Sequence, residues 1–185
     1  MEKSKPRGVR VAPLSSRKIR EVAEEFRVIF SLPPGNVDII ELYEFGLQSK
    51  GWDYDIQEDN LFPSDVLALA FPDRHLIRVK QSVWSGAVRG DRMSRFTLAH
   101  ELGHLILHNS DRLGFARHHP SSPRSHNFYE DSEWQADRFA AELLIPASEL
   151  SGMRLNASQI AVKYGVSKKS AGIRIYSLRK EGYLE

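Results

Sequence analysis

The amino-acid sequence predicts an α+β fold, in which a small, mainly antiparallel sheet packs against helices and a helix-turn-helix-like helical module follows at the C-terminal end. Three observations lead to this prediction. Several segments repeat apolar residues at helical spacing, short stretches between residues 52 and 79 have strand patterning, and residues 156–180 contain two further helical patterns. We expect residues 1–152 to form the first domain and residues 153–185 the second.

Composition restricts the class of protein and the chemistry of any site. The 185 residues are 41% hydrophobic and 27% charged, with a formal net charge of +2, which is ordinary for a globular chain. No apolar run is long enough to span a membrane, and the basic start lacks the apolar core of a signal peptide. With no cysteine, a metal site must use histidines and carboxylates. We expect an unexported, cytoplasmic protein.

Two helical patterns precede the strands. The first begins after Ser15 or Ser16 as N-cap and stops before Pro33, and a weaker pattern covers residues 37–48. The strand patterns follow at residues 52–56, 66–71 and 75–79, with a Pro72-Asp73-Arg74 turn before the last. The two helices are expected to cover the sheet formed by these strands.

The segment FTLAHELGHLILH, residues 96–108, is apolar almost all round except for three histidines and one glutamate. Such a pattern predicts a buried helix, where unpaired polar groups cost free energy. The four polar residues therefore indicate a functional site. His100 and His104 lie one helical turn apart and can share one zinc ion, while Glu101 is displaced around the helix and can act as general base on a metal-bound water. A chance HExxH on a solvent-exposed helix is the alternative, which the apolar surroundings disfavour.

A catalytic zinc usually has a third protein ligand, and Glu133 is our prediction. It opens the next helix, whose N-terminal end favours an ionised carboxylate. Ser132 and Gln135 have the spacing of a capping box. The small residues Ala136 and Ala140, together with Gly103 on the first helix, leave room for the two helices to pack closely.

Other residues remain as alternatives. His108 stands about 12 Å from His100 on an unbroken helix, too far to join the same ion. The loop at residues 110–130 carries His118, His119 and His126, kept as reserve ligands. Asp137 lies one turn after Glu133 and either orients a ligating histidine or is a surface neighbour.

The C-terminal module has the pattern of a helix-turn-helix. Asn156 caps its first helix, Gly165-Val166 forms the turn, and Ser167 caps the second. Arg174 occupies a position where that motif usually has an apolar core residue. We therefore favour a packing module over a DNA-binding module. The charged residues of the second helix are expected mostly on a solvated face; they are Lys168, Lys169, Arg174 and Arg179.

Together, FTLAHELGHLILH and SEWQADRFAAELLIP resemble the two signature helices of the ImmA/IrrE family of metallo-endopeptidases, and the order of elements fits over most of the chain. The resemblance implies a bacterial or phage protein with a zincin-like domain, similar to a minimal gluzincin. It implies that His100, His104 and Glu133 hold one zinc ion, with manganese as the alternative, and that Glu101 is the base. Asp137 stands where the family more often has asparagine.

The resemblance also implies a partner. The expected substrate is a cognate helix-turn-helix repressor of the XRE type, or an antitoxin, encoded nearby and cleaved by metal-activated water. In zincin-like architectures an edge strand binds an extended substrate, and we assign this role to the strand at residues 75–79. The competing hypothesis is a DNA-binding transcriptional regulator with a structural or degenerate metal site. The intact Glu101 favours the enzyme, since a structural site needs no base.

Overall fold

The computed structural model describes residues 7–108 and 126–184, with eight α-helices and three strands in these ranges. The bounds of the elements before the metal-binding motif are α1 Ser16–Ile29, α2 Ile39–Glu41, β1 Asp53–Gln57, β2 Ala68–Phe71, β3 Leu76–Lys80 and α3 Gln81–Val88. The remaining helices are α4 Arg92–Leu107, α5 Ser132–Leu144, α6 Ala147–Leu150, α7 Ala157–Lys163 and α8 Lys168–Lys180. None of these helices is both long and apolar enough to cross a membrane.

The sheet has the strand order β1-β3-β2. β2 runs antiparallel to β3, and β1 runs parallel to it, so the α+β class is confirmed while the sheet is mixed. The prediction that the strand at 75–79 lies at an edge is wrong, because β3 is paired on both sides. Its Ile77 and Val79 are fully buried, whereas Leu69 of β2 is 40% exposed, and alternation within one strand does not reveal this difference. β2 is the edge strand beside α4.

The first helix begins at one of the two predicted caps. Ser15 accepts a hydrogen bond from the backbone N–H of Lys18, which starts α1. The second helical pattern begins after Asp38 and continues from α2 as a π-helix at Leu42–Leu47 and a 3₁₀ turn at Gln48–Lys50. The buried Tyr43 of this segment donates its hydroxyl to the backbone carbonyl of Leu98, 2.8 Å away. This contact ties the segment to α4.

Three local features differ from the sequence-based predictions. α3 was not predicted, because it follows β3 without a turn signal, and α4 begins at Arg92 with Asp91 as its cap. The predicted capping box at α5 is wrong. Asp131 is the N-cap, Ser132 is the first helical residue, and the side chain of Gln135 has other partners. Most of the predicted loop at 110–130 lies outside the described residues.

α4 and α5 pack closely, as predicted from the small residues on their facing sides. A Cβ at Gly103 would lie 2.9 Å from Cα and 3.0 Å from the carbonyl oxygen of Ala136, so the two backbones nearly touch. Leu98, Leu102, Phe139 and Leu143 are fully buried around this crossing. A side chain at position 103 would separate the helices.

The C-terminal helices are joined to α1 and α5 by a buried ion cluster. Glu142 forms ion pairs with Arg20, Arg138 and Arg174, and Glu181 pairs with Arg20 and Arg138. Arg174 is only 2% exposed and also donates from Nε to the carbonyl of Ile145 at 2.9 Å. The arginine that is unusual for a helix-turn-helix is therefore an anchor on α5. The division into domains at residues 152 and 153 stays a prediction.

The ion cluster predicts a large effect of one carboxylate. Glu142→Gln keeps the shape of the side chain but removes the charge that pairs with three arginines. Arg20 and Arg138 then keep Glu181, and Arg174 keeps the carbonyl of Ile145. Breaking a buried pair by removing one partner typically costs about 3–5 kcal/mol of unfolding free energy. Urea denaturation followed by circular dichroism measures the loss. The matched control is Glu21→Gln in the exposed pair with Arg17, which should leave the midpoint unchanged. Equal midpoints for the two variants would contradict the role of the cluster.

Candidate metal centre

α4 and α5 bring His100, His104 and Glu133 together. The two Nε2 atoms are 3.0 Å apart, and each lies 3.3 Å from one of the carboxylate oxygens of Glu133. Among the described residues, these three form the group of metal-ligand types whose ligand atoms all lie within 4.8 Å of one another. Two imidazoles and one carboxylate are a usual ligand set for zinc with an open position.

Without metal, the charges around His100 and Glu133 favour a positive charge at this site. Burial lowers the pKa of His100, but its hydrogen bonds to Asp137 and Glu133 outweigh burial and raise that pKa to about 9. Hydrogen bonds to His100 and His104 hold the pKa of Glu133 far below its usual range. These shifts favour a protonated His100 beside an ionised Glu133 when no metal is bound. A metal ion would replace that proton, since ligating histidines must be neutral.

Glu101 does not belong to the three-residue group. It is 8% exposed and faces the edge strand β2. Burial raises the pKa of Glu101, although His104, His100 and the backbone N–H of Ala70 act in the opposite direction. A carboxylate with a raised pKa is suited to accept and return a proton near neutral pH.

A cleft of about 720 Å³ opens over these side chains. One wall is the edge strand β2 with the residues just before it, and the opposite wall is the N-terminal segment at residues 7–11. The floor holds His100, Glu101, His104 and Glu133. Within the described ranges, the site is therefore a groove that opens to solvent.

The second nitrogen of His100 is held by Asp137. The Nδ1–H of His100 donates to Oδ1 of Asp137 at 2.9 Å, which agrees with the orienting role considered for this residue. The guanidinium of Arg7 donates to Oδ2 of the same carboxylate at 2.5 Å. Burial raises the pKa of Asp137, but these two hydrogen bonds outweigh it and keep the pKa below its usual value.

Sequence reasoning missed the N-terminal strap, residues 7–14, which runs beside the start of α5. The backbone N–H groups of Arg7 and Gly8 donate to Oδ2 of Asp131 at 2.8 and 2.9 Å. A Cβ at Gly8 would lie 2.8 Å from Cγ of Glu133, so only glycine allows this approach. A single glycine in a basic segment carries no specific signal. The strap is visible only once the chain has folded.

Of the remaining histidines that the structure describes, none joins the group. The Nδ1 of His108 is 3.0 Å from Nδ1 of His104, and burial and the neighbouring His104 lower the pKa of His108 to about 4. Nε2 of His126 lies 3.1 Å from Oδ2 of Asp131. His118 and His119 lie outside the described residues. Of the alternatives considered from the sequence, none that the structure describes replaces Glu133.

Comparison with known proteins agrees with the metal centre. Residues 89–176 match the family model described as the IrrE N-terminal-like domain of the M78 peptidases. This match supports membership of the ImmA/IrrE family. No curated protein matches the chain. Among solved structures, a transcriptional regulator of Mycobacterium tuberculosis is similar over 84% of this chain, with a TM-score of 0.55 and 18% sequence identity. This chain spans only 45% of that protein, and the likeness concerns the fold alone.

The ImmA/IrrE match extends from the end of α3 to most of α8 and so contains both helices of the candidate centre. Membership of a peptidase family suggests a metallopeptidase and hence a bound metal. The two imidazoles and the carboxylate at the crossing of α4 and α5 fit one such ion.

The geometry predicts that Glu133 is essential for metal retention. Glu133→Ala leaves two histidines and solvent, so the desalted variant should contain far less zinc than the wild type, measured by atomic emission. Asp65→Ala is the matched control, since this exposed carboxylate lines the same cleft without joining the group. Wild-type zinc content in the Glu133 variant would show that the third ligand lies elsewhere.

Proposed function

We propose that this protein is a zinc-dependent endopeptidase in which His100, His104 and Glu133 hold the ion and Glu101 is the general base. The observation that carries the proposal is the three-residue ligand group beside a buried carboxylate at the floor of an open cleft. When bound, zinc lowers the pKa of a coordinated water to about 7 and polarises the scissile carbonyl. Manganese is the alternative ion.

Glu101 supplies the proton transfers. Its carboxylate takes a proton from the attacking water and returns it to the leaving amine. The backbone N–H of Ala70 contacts the carboxylate, so the edge strand holds the base in place as well as forming the cleft wall. Burial raises the pKa of Glu101, which lets the group serve both as base and as acid.

We assign substrate binding to β2, which replaces the assignment to β3. The hydrogen bond from Lys80 N–H to the carbonyl of Leu67 makes Leu67 and Lys80 a hydrogen-bonded pair. Because such pairs alternate in an antiparallel ladder, the N–H and C=O groups of Ala68 and Ala70 point away from β3. The N–H of Ala70 contacts Glu101, so the N–H of Ala68 and the carbonyls of both residues are the groups offered to a peptide. An extended peptide can add to this edge as a further strand, with its scissile bond near Glu101.

The proposed substrate is a helix-turn-helix repressor or antitoxin encoded near this gene. Support comes from the family resemblance. The edge-strand geometry adds a requirement, because only an unfolded or flexible segment can pair along β2. We therefore place the cleavage site in an exposed linker or a loosened helix of the partner.

The alternative is a DNA-binding regulator with a structural metal site. A structural zinc normally has four protein ligands, whereas the group within the described ranges has three. Arg174 is buried against Glu142 and is not available to phosphates. The exposed Lys168 and Lys169 remain as candidate contacts, and any binding through them should weaken steeply with salt. We favour the endopeptidase.

The peptidase proposal is tested with Glu101→Gln. The variant keeps the size of the side chain and all three proposed ligands, so zinc content should match the wild type. Cleavage of the neighbouring repressor or antitoxin, co-expressed and followed on a gel, should slow by about 10²- to 10⁴-fold. Glu21→Gln on α1, which is not part of the cleft lining, is the control and should keep wild-type turnover. Cleavage at the wild-type rate by the zinc-loaded Glu101 variant would exclude this mechanism.

The edge-strand assignment is tested with Ala68→Pro. Proline removes the N–H offered to the substrate and leaves the hydrogen bonds to β3 intact. We expect slower cleavage with normal zinc content. Ala68→Val controls for side-chain volume because it keeps the N–H, and Leu69→Pro should instead destabilise the fold, since Leu69 pairs with Arg78. Equal turnover of the folded proline variant and the wild type would remove β2 as the binding strand.

A further inference from the structure

A continuous hydrogen-bond chain leads away from His104 into the protein. Nδ1 of His104 is 3.0 Å from Nδ1 of His108, and Nε2 of His108 is 3.1 Å from Oε1 of Gln135. The amide nitrogen of Gln135 donates to the backbone carbonyls of Ala12 and Tyr129, each at 2.8 Å. His108 is 5% exposed and Gln135 is fully buried, so water has little access to this chain. The metal centre described above does not use either side chain as a ligand.

The partners of Gln135 fix the direction of every hydrogen bond in the chain. Two carbonyl oxygens can only accept, so the NH₂ end of the amide must face Ala12 and Tyr129. Oε1 then faces His108 and accepts from its Nε2–H. A neutral imidazole has one N–H, which leaves a lone pair on Nδ1 of His108. That lone pair accepts the Nδ1–H of His104.

We propose that His108 and Gln135 are positioning residues that hold the proton of His104 on Nδ1 and thereby present its bare Nε2 to the metal. The inference rests on the proposed metal centre. Nε2 of His104 is the atom that lies 3.0 Å from Nε2 of His100 and 3.3 Å from Glu133. His108 thus acts through His104, and it is unable to bind the same ion because both of its ring nitrogens are already engaged.

The backbone geometry explains how His108 reaches this position. α4 ends at Leu107, and His108 is its C-cap with non-helical dihedral angles, while its N–H still bonds to the carbonyl of His104. The ring can therefore turn back toward His104. The hydrogen-bond chain also explains why the predicted capping box at Ser132 does not form. The amide of Gln135 is engaged with His108 and two backbone carbonyls.

The first test is the protonation of the rings in the zinc-loaded full-length protein. Long-range ¹H–¹⁵N correlation spectra report which imidazole nitrogen carries the proton. We expect His104 to carry its proton on Nδ1, and His108 to carry one proton on Nε2 and none on Nδ1. A proton on Nδ1 of His108, or metal bound through Nδ1 of His104, would overturn the proposal without the need for a variant.

The second test compares His108→Phe with His108→Asn in zinc affinity, measured by competition with a chelating dye. Phenylalanine fills space but offers no acceptor, and we expect its dissociation constant to rise about 10- to 100-fold. Asparagine places an oxygen where Nδ1 of the ring stood, so affinity should stay close to the wild-type value. Gln135→Met should also raise the zinc dissociation constant, as His108→Phe does. If the role of His108 were only structural, His108→Phe and His108→Asn would not differ in zinc affinity in this way.

Leu107→Ala is the matched control for lost packing, since this neighbour is 1% exposed and contacts no proposed ligand through a hydrogen bond. It should lower the unfolding temperature and leave zinc affinity unchanged. Equal zinc affinity of His108→Phe and the wild type overturns the proposal, as does a wild-type chain that binds no zinc. A zinc-loaded protein with the expected ring protonation that fails to cleave any partner would refute only the proposed function.

Discussion

The contact of α4 with α5 is the constraint on which the candidate site depends. Gly103 and Ala136 allow the two backbones to approach until a single Cβ would clash. At that separation, the carboxylate of Glu133 on α5 reaches the two imidazoles on α4. Glycine in a helix interior costs about 1 kcal/mol relative to alanine. That cost is offset by the close crossing, which also buries Leu102 and Phe139 on either side of it.

The rest of the fold stabilises this crossing from several directions. The N-terminal strap contacts Asp131 and Asp137, and its Ala12 carbonyl accepts a hydrogen bond from Gln135. It thus supports Asp137, the partner of His100, and Gln135, the partner of His108. At the other end of α5, Glu142 attracts arginines from α1, α5 and α8. A helix that is fixed at both ends holds Glu133 in a narrow range of positions. Such rigidity favours a site that must be in place before the substrate arrives.

The edge of the sheet completes the site. β2 pairs with β3 on one side and with no other strand of the described residues, and the N–H of Ala70 contacts the carboxylate of Glu101. The same strand therefore orients the proposed base and offers main-chain groups to a peptide. The mixed sheet makes this possible, because β3 lies between β1 and β2 and leaves β2 exposed beside α4.

Local patterns in the sequence were sufficient for the features that depend on neighbouring residues. Helical periodicity and side-chain caps predicted α1 after Ser15, α7 after Asn156 and α8 after Ser167. The spacing of HExxH predicted that His100 and His104 share a face, and small residues predicted the close approach of Glu133's helix. The roles of these side chains as ligands, and of Glu101 as base, stay proposals.

Only the tertiary structure decided the features that join distant segments. The central place of β3, the strap across α5, the anchoring of Arg174 on Glu142 and the engagement of Gln135 with His108 all join residues far apart in the chain. Gln135 shows the physical reason most clearly. A local capping bond and a buried hydrogen-bond chain both need its amide, and the buried partners prevail because polar groups left unpaired in the interior are costly. The local pattern around Ser132 carries no information about those partners.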